Sequence, residues 1–245
     1  MLIFGYALVA YASFLVSVGW AVLFLAGGMD GPATTSASTA LAIDGALLLA
    51  FAVQHSVMAR VGFKRRVARL IPPAAERSTY VLSAALLMIA IFGGWQPVPA
   101  TVWHVSLPWS APIWLLYAAG WVLVVWSTFA VDHADFLGLR QAYAHLRHRA
   151  HHEPAFTDRR LYGWCRHPMM LGLLVTFWAT PHLTAGHLFF AVASSAYIGL
   201  GIRFEERDLR ARLGAGYADY ARRVPMLVPA PRRRTRQTWL APPST

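Results

Sequence analysis

Residues 2–26, LIFGYALVAYASFLVSVGWAVLFLA, decide the fold class of this chain. The stretch contains no charged side chain, and it is longer than the ~20 residues that an α-helix needs to cross the hydrocarbon core of a bilayer. It is also too long for the apolar core of a signal peptide, and no basic segment precedes it. We therefore expect it to remain in the protein as a membrane-spanning helix.

Four further apolar regions follow along the chain. Three of them, at 39–58, 80–95 and 113–131, are each near the length of one span. The fourth, at 169–202, is interrupted by the polar turn TPHLTAGH at 180–187, which predicts a short arm followed by a longer one. The sequence thus predicts an all-α, polytopic transmembrane helical bundle of four spans plus a C-terminal helical hairpin, with five or six membrane helices.

The composition supports lipid as the solvent of this chain. Hydrophobic residues make up 57% of its 245 residues and charged residues only 13%, whereas a soluble domain is about 25% charged. The net charge of +11 would suit nucleic acid on a soluble surface, but here the basic residues alternate with apolar runs. We expect a lipid bilayer and no nucleic acid as partner. The single cysteine, Cys165, excludes an internal disulfide and a zinc site of several thiolates.

The basic residues predict the topology. All 22 fall at 60–77, at 140–166 or from 203 onward, and the loops at 27–38, 97–112 and 181–186 contain none. We call these two faces of the bundle the basic side and the neutral side. Because Lys and Arg in short loops stay in the cytoplasm, we expect a multi-pass protein of the inner (plasma) membrane with both termini cytoplasmic. Residues 1–139 would form a four-span region, 140–229 a loop, hairpin and cofactor-binding region, and 230–245 a basic tail.

The segment LYGWCRHPMMLG at 161–172 carries the first chemical signal. Arg166 and His167 stand just before Pro168, which is favoured at the first position of a helix. The free N–H groups and the positive dipole end of such a helix suit a carboxylate. The alternative is a basic pair at the membrane interface without a ligand.

A second signal follows on the same side. Glu205 and Glu206 end the longer arm of the hairpin, and Tyr217 and Tyr220 follow them. Paired carboxylates could hold the two hydroxyls of a ribose, and aromatic rings could stack on a purine.

Together these residues resemble the integral-membrane methyltransferases that include isoprenylcysteine carboxyl methyltransferase and the phospholipid N-methyltransferases. The resemblance rests on RHPxxxG at 166–172, on the glutamate pair, and on GYADY at 216–220. It implies S-adenosylmethionine as cofactor, with Met170 standing where the family often has tyrosine. The residues that it implies for cofactor binding are Arg166, His167, Pro168, Gly172, Glu205 and Glu206, with Tyr217 and Tyr220 beside them.

The N-terminal half narrows the resemblance. QHSVMAR at 54–60, ERSTY at 76–80 and GLRQ at 138–141 are similar to the methanethiol S-methyltransferases, which make dimethyl sulfide, and NnrU-like membrane proteins share the Gln-His-Ser segment. A membrane-bound methyltransferase acting on a small thiol is therefore expected. The alternatives are a related methyltransferase acting on another small thiol, a prenylcysteine carboxylate or a lipid amine, and a non-catalytic NnrU-like protein.

Methyl transfer to a thiol requires that the thiol lose its proton. The candidate bases are His55 and His133, the latter next to Asp132, because an imidazole titrates near neutral pH. Tyr80 could hold the thiol or support the base. In the alternative, the sulfonium cation and a nearby arginine, Arg77 or Arg140, lower the pKa of the thiol and water takes the proton.

Histidines also cluster in the arginine-rich loop. Their spacing would allow a metal site, but with arginines interleaved and no thiolate nearby we favour a solvated loop and expect no metal. The four residues are His145, His148, His151 and His152.

Overall fold

The computed structural model of the protein describes residues 1–152 and 160–228, so the tail predicted at 230–245 lies outside the described residues. The elements of the described part are α1 (Leu2–Leu23), α2 (Ala37–Ala59), α3 (Val61–Val67), α4 (Pro73–Gly94), β1 (Thr101–His104), α5 (Ser110–Val131), α6 (His133–Phe136), α7 (Leu139–Leu146), α8 (Pro168–Trp178), β2 (His182–Thr184), α9 (Ala185–Leu213) and α10 (Ala215–Arg223). A π-helical turn at Phe24–Gly28 extends α1, and a 3-10 turn at Arg160–Gly163 precedes α8.

Five of these helices are long and apolar enough to cross a membrane: α1 with its π-helical turn, α2, α4, α5 and α9. The predicted polytopic helical bundle is therefore confirmed. Large apolar side chains such as Leu15, Leu49 and Leu115 are 49%, 63% and 72% exposed on the outside of the bundle. Such a continuous apolar surface is stable against lipid tails and unstable against water.

The first arm of the C-terminal hairpin is helical only over the first part of its path toward the neutral side. Helix α8 has 11 residues, which gives a length of about 16 Å against a hydrocarbon core of about 30 Å. The chain then continues in extended form into β2, which pairs antiparallel with β1 in the loop between α4 and α5. Ala179, Thr180 and Leu183 of this stretch are at most 5% exposed. Non-helical backbone is tolerated at this depth because protein, and not lipid, surrounds it.

Neighbouring helices pack in the order α1, α4, α2, α9, α8 and α5. Helices α5 and α8 approach each other closely, because glycines meet there. A Cβ on Gly172 would lie 2.8 Å from the carbonyl oxygen of Gly120, and a Cβ on Gly120 would lie 2.8 Å from Cγ2 of Thr176. Small residues that let two backbones approach closely are typical of packing between membrane helices.

The close approach of these helices also sets the depth of α8. Gly120 lies 11 residues before the end of α5, and Gly172 lies four residues after the start of α8. At 1.5 Å per residue, the start of α8 lies roughly 10 Å deeper in the bundle than the basic-side end of α5. The residues just before α8 therefore occupy a recess and not a surface loop.

The neutral half of the bundle holds an aromatic core. Phe24 of the π-helical turn lies within ring-contact distance of Trp95 and Phe190, with centroids 5.5 and 5.9 Å apart. The hydroxyl of Tyr117 donates to the carbonyl of Val22 at 2.6 Å, and Nε2 of His187 donates to the carbonyl of Phe177 at 2.9 Å. The side chains of the neutral half are packed and hydrogen-bonded to one another. An open binding site is therefore expected in the basic half.

We predict that Gly172→Ala destabilises the protein. Its new methyl group would meet the backbone of α5, and overpacking of this kind costs about 1–3 kcal/mol, which lowers Tm by several degrees. Gly199→Ala in α9 is the matched control, because a Cβ there meets nothing within 4 Å. Thermal unfolding followed by tryptophan fluorescence compares the two variants. Equal Tm values would show that the glycine contact is not tight.

Candidate active site

Arg166 joins three segments of the chain at the basic side. Its Nε donates to Oε1 of Glu206 at 2.7 Å, and Nη2 lies 2.5 Å from the same oxygen. Its Nη1 donates to the carbonyls of Ala221 and Val224, each at 2.8 Å. All three guanidinium nitrogens are thus engaged within the protein. Arg166 anchors α10 to α9 and does not present an open guanidinium to a ligand.

The backbone around Arg166 is fixed in the same way. The amide of Arg166 donates to the carbonyl of Pro225 at 3.0 Å, and the amide of His167 donates to that of Met226 at 3.2 Å. The segment that follows α10 is therefore strapped to the residues that precede α8. This strap holds the Arg-His-Pro segment in place before the helix begins.

Glu206 and His167 complete a buried charged cluster. Glu206 is 8% exposed and pairs with Arg166, with Nε2 of His167 at 3.2 Å and with Arg210 at 3.2 Å. Nδ1 of His167 lies 3.4 Å from Oε2 of Glu205. Burial alone would lower the pKa of His167, but the hydrogen bonds and charges of the two glutamates outweigh it and raise that pKa. The imidazole therefore stays cationic to a higher pH than an ordinary histidine.

The start of α8 is open to an anion. No side chain caps α8, which begins at Pro168 after His167. The same is true of α1, α4 and α5, but only α8 begins directly after a histidine held by two glutamates. The first-turn amides after the proline then have no intrahelical acceptor. With the positive end of the helix dipole and a cationic imidazole, they can bind a carboxylate.

Glu205 is the open carboxylate of the site. Its side chain is 51% exposed, compared with 11% for that of Glu206. Burial and the charge of Glu205 raise the pKa of the nearby Tyr162 to about 12, so that phenol remains neutral. Of the two glutamates, Glu205 is the one that an incoming diol can reach.

Three other residues expected at the cofactor lie in packed positions. Gly172 contacts α5, and Tyr217 and Tyr220 are 1% and 3% exposed in a small core with Val224. The hydroxyl of Tyr220 donates to the carbonyl of Tyr162 at 2.7 Å. Stacking of Tyr217 or Tyr220 on a purine stays a prediction, and it would require α10 to move.

A second polar cluster lies between α2, α4 and α9. Nε2 of His55 is 2.7 Å from the hydroxyl of Tyr80, and Phe51 stacks on the imidazole with centroids 5.1 Å apart. Tyr197 of α9 lies edge-on to His55, with centroids 6.5 Å apart. The predicted pair of His55 and Tyr80 is thus brought together, and Tyr197 is a neighbour that the sequence analysis missed.

The hydrogen bond between His55 and Tyr80 has a preferred direction. Nδ1 of His55 is buried and has no partner within the described residues. An orphaned lone pair at Nδ1 is less costly than an orphaned N–H, so we assign the proton to Nε2, which donates to the oxygen of Tyr80. The O–H of Tyr80 is then free to donate to a further group.

A cavity of about 100 Å³ opens next to Tyr80 at the basic side. Its size admits a molecule of a few heavy atoms. Met58 and Phe63 also border an apolar groove on the outer face of α2. The cavity is lined by Met58, Ala59, Phe63, Lys64, Val67, Glu76, Arg77, Thr79 and Tyr80.

Helix α9 separates the two clusters. Tyr197 and Phe204 lie on the face toward α2, where Arg60 packs over the ring of Phe204 at 4.6 Å. Glu206 comes nine residues after Tyr197, about 180° around the helix and ~13 Å along it. Glu205 points between these two faces.

His133 lies elsewhere, between α5 and α1. Its Nδ1 is 2.8 Å from Oγ1 of Thr128, and its Nε2 is 3.2 Å from the hydroxyl of Tyr11. Burial lowers the pKa of His133, and the charge of Asp132 offsets this only partly. Asp132 itself pairs with Arg140 at 2.7 Å and accepts from an amide of α6. The structure therefore does not bring His133 and Asp132 to the cavity or into a hydrogen-bonded pair.

The histidine-rich loop forms no metal-binding group within residues 1–152 and 160–228. His151 instead lies 2.5 Å from Asp135. The sequence analysis also missed Arg210 as a partner of Glu206. The sequence does indicate this pair, because Arg210 follows Glu206 at the helical spacing of four residues.

Comparison with known proteins identifies the family. The model of the NnrU protein family matches residues 45–201. A methanethiol S-methyltransferase of Mycobacterium tuberculosis is 46% identical, with the match covering 94% of this chain and 97% of the relative. Methanethiol S-methyltransferase 2 of Bradyrhizobium diazoefficiens is 45% identical, over 94% of this chain and 92% of the relative.

More distant similarity extends to animals. A protein named Nurim from Xenopus laevis is 31% identical over 86% of this chain and 82% of its own length. No solved structure matches the chain. By the family model and by identity over nearly its whole length, the chain belongs to the NnrU family and, within it, to the methanethiol S-methyltransferase family of membrane proteins.

Proposed function

We propose that this protein is a membrane-bound methyltransferase that moves a methyl group from S-adenosylmethionine to methanethiol and releases dimethyl sulfide. The observation that carries the proposal is identity of 45–46% to methanethiol S-methyltransferases over 94% of the chain. The matched region of the chain contains the residues of both polar clusters. The cavity of about 100 Å³ beside Tyr80 also suits a small acceptor.

The cofactor would bind at the cluster before α8. The uncapped first turn of α8 and the cationic His167 suit its carboxylate, and Glu205 suits its ribose hydroxyls. The bond between Arg166 and Glu206 and the hydrogen bond from Arg166 to α10 hold these groups in position. Bound there, S-adenosylmethionine supplies a methyl group on a positively charged sulfur.

The reaction joins opposite charges. The thiolate sulfur forms a bond to the methyl carbon, the bond from that carbon to the sulfonium sulfur breaks, and its electron pair stays on the sulfur of S-adenosylhomocysteine. The proton of the thiol leaves to solvent. Because a cation and an anion become neutral products, a site shielded from water favours the step.

The basic side would face the cytoplasm, with both termini there and the bundle in the inner membrane. This orientation gives the water-soluble cofactor access to Glu205 and His167. In a Cys165→Ser background, a cysteine at Ala68 should be protected from an impermeant reagent in intact cells, and one at Thr35 should be labelled. The reverse pattern would invert the topology.

A second candidate, left open by the resemblance to NnrU-like proteins, is a membrane protein without catalysis. Such a protein would have no need for an open carboxylate beside an uncapped helix start. Cofactor binding separates the two candidates.

We predict that the purified protein in nanodiscs, given methanethiol and S-adenosylmethionine with a deuterated methyl group, releases deuterated dimethyl sulfide. Headspace gas chromatography with mass detection measures the product, and isothermal titration measures cofactor binding. Binding without product would indicate a different methyl acceptor. Neither binding nor product would favour the non-catalytic candidate.

The adjacent glutamates should respond differently to loss of charge. We expect Glu205→Gln to weaken cofactor binding by about tenfold or more with an unchanged Tm, since this side chain is exposed. Glu206→Gln should also lower Tm, because Arg166 and His167 would remain buried without their counter-ion, at a cost of about 3–5 kcal/mol. Wild-type cofactor affinity in Glu205→Gln would refute its contact with the ribose.

The hydrogen-bonded pair of His55 and Tyr80 should serve the acceptor and not the cofactor. We expect Tyr80→Phe and His55→Ala each to lower kcat/KM for methanethiol by about tenfold at neutral pH, with unchanged cofactor affinity, because His55 orients the O–H of Tyr80. His133→Ala is the comparison and should leave the shape of the pH profile unchanged. A loss in His55→Ala that recovers at high pH, with Tyr80→Phe near the wild-type rate, would instead identify His55 as the base.

A further inference from the structure

Arg77 has no ion-pair partner although it lines the cavity. Its Nε donates to the carbonyl of Phe136 at 2.7 Å, and within the described residues neither terminal nitrogen has a hydrogen bond. No carboxylate of residues 1–152 and 160–228 lies within 4 Å of the guanidinium, in contrast to Arg166. A permanently charged group with two free nitrogens at a cavity wall is a site for an anion.

The other cavity-lining charges cancel. Lys64 and Glu76 pair with each other at 3.1 Å, which leaves Arg77 as the uncompensated charge among the lining residues. The guanidinium lies over the ring of Tyr80, with Cζ 5.2 Å from the centroid. The Tyr80 hydroxyl, freed by the orientation of His55, is a donor at the same cavity.

We propose that this cavity binds the methyl acceptor as a thiolate, with Arg77 as its counter-ion and the hydroxyl of Tyr80 as its hydrogen-bond donor. The proposal rests on the function proposed above and assigns its acceptor site. A neutral thiol enters, its proton passes to water at the basic side, and the sulfur anion is held beside the guanidinium. Its attack on the methyl carbon requires the methyl end of the cofactor to reach this side of α9. No histidine then has to take the proton.

The physical basis is the acidity of a thiol beside a cation. A free cysteine thiol has a pKa of about 8.5, and neighbouring cations lower it to about 3.5–7.5. The titratable and charged groups around Arg77 are Glu76 and Tyr80 on α4, Lys64 on α3, His55 on α2 and Asp135 on α6. Asp135 opposes the effect, but it is itself engaged by His151.

A thiol placed in the cavity measures this effect without turnover. In a Cys165→Ser background, Met58→Cys puts a sulfur at a lining position, and the pH dependence of its alkylation by iodoacetamide gives its pKa. We expect that pKa to rise by about one unit or more when Arg77→Gln is added, and by less with Arg77→Lys, which keeps the charge. Arg60→Gln is the matched control, since Arg60 pairs with Asp208 and does not line the cavity.

Turnover gives the second readout. Arg77→Gln should lower kcat/KM for methanethiol by about 10- to 100-fold at neutral pH, shift the rise of the profile to higher pH and recover there. Cofactor affinity, measured by titration, should stay at the wild-type value. A merely structural role would lower the rate equally at every pH, and that result would overturn the proposal.

The two proposals fail in different ways. An unchanged thiol pKa in Arg77→Gln would refute the anion site whatever the protein methylates. A lowered pKa beside Arg77 in a wild-type protein that makes no dimethyl sulfide would support the anion site and refute methanethiol as the acceptor.

Discussion

The ion pair between Arg166 and Glu206 is the contact on which the basic half of the protein depends. It connects the start of α8, the end of α9 and, through two backbone carbonyls, α10. Both side chains are about 10% exposed. Solvent therefore stabilises the pair little, and the hydrogen bonds to its other protein partners stabilise it more. Removal of either member of such a buried pair leaves an uncompensated charge. The main role of the pair is therefore to fix the geometry of the site, and ligand binding depends on other residues.

The length of α9 has a functional reason. With 29 residues it extends about 43 Å, well beyond the hydrocarbon core. Its basic-side turns carry Tyr197 and Phe204 toward α2 and Glu206 toward α8. One rigid helix thus fixes the distance between a charged cluster suited to a water-soluble cofactor and a small cavity suited to a volatile acceptor. A flexible loop in place of α9 would not hold the two sites at a fixed distance from each other.

The sequence predicted the spans well because apolar length is a local property. Through resemblance it also assigned Arg166, His167 and Glu206 to one cofactor site, but it did not predict that they pair with one another, since they come from separate segments. It did not predict that the helix of the first hairpin arm is followed by the short strand β2, because the pairing of β1 with β2 joins residues about 80 positions apart. Nor did it distinguish His55 from His133, whose partners Tyr80, Tyr11 and Thr128 are set by helix packing.

The roles of neighbouring residues were hardest to separate from sequence. Glu205 and Glu206 read as an equivalent pair, yet one is open and the other is saturated by three cations. Arg77 and Arg166 read as similar basic residues, yet their guanidinium groups differ in the same way, one paired and one unpaired. In both cases the residue with more partners fixes the structure, and the residue with fewer partners keeps its capacity to bind a ligand. In the proposed reaction, Glu205 would hold the ribose of the cofactor and Arg77 would hold the thiolate.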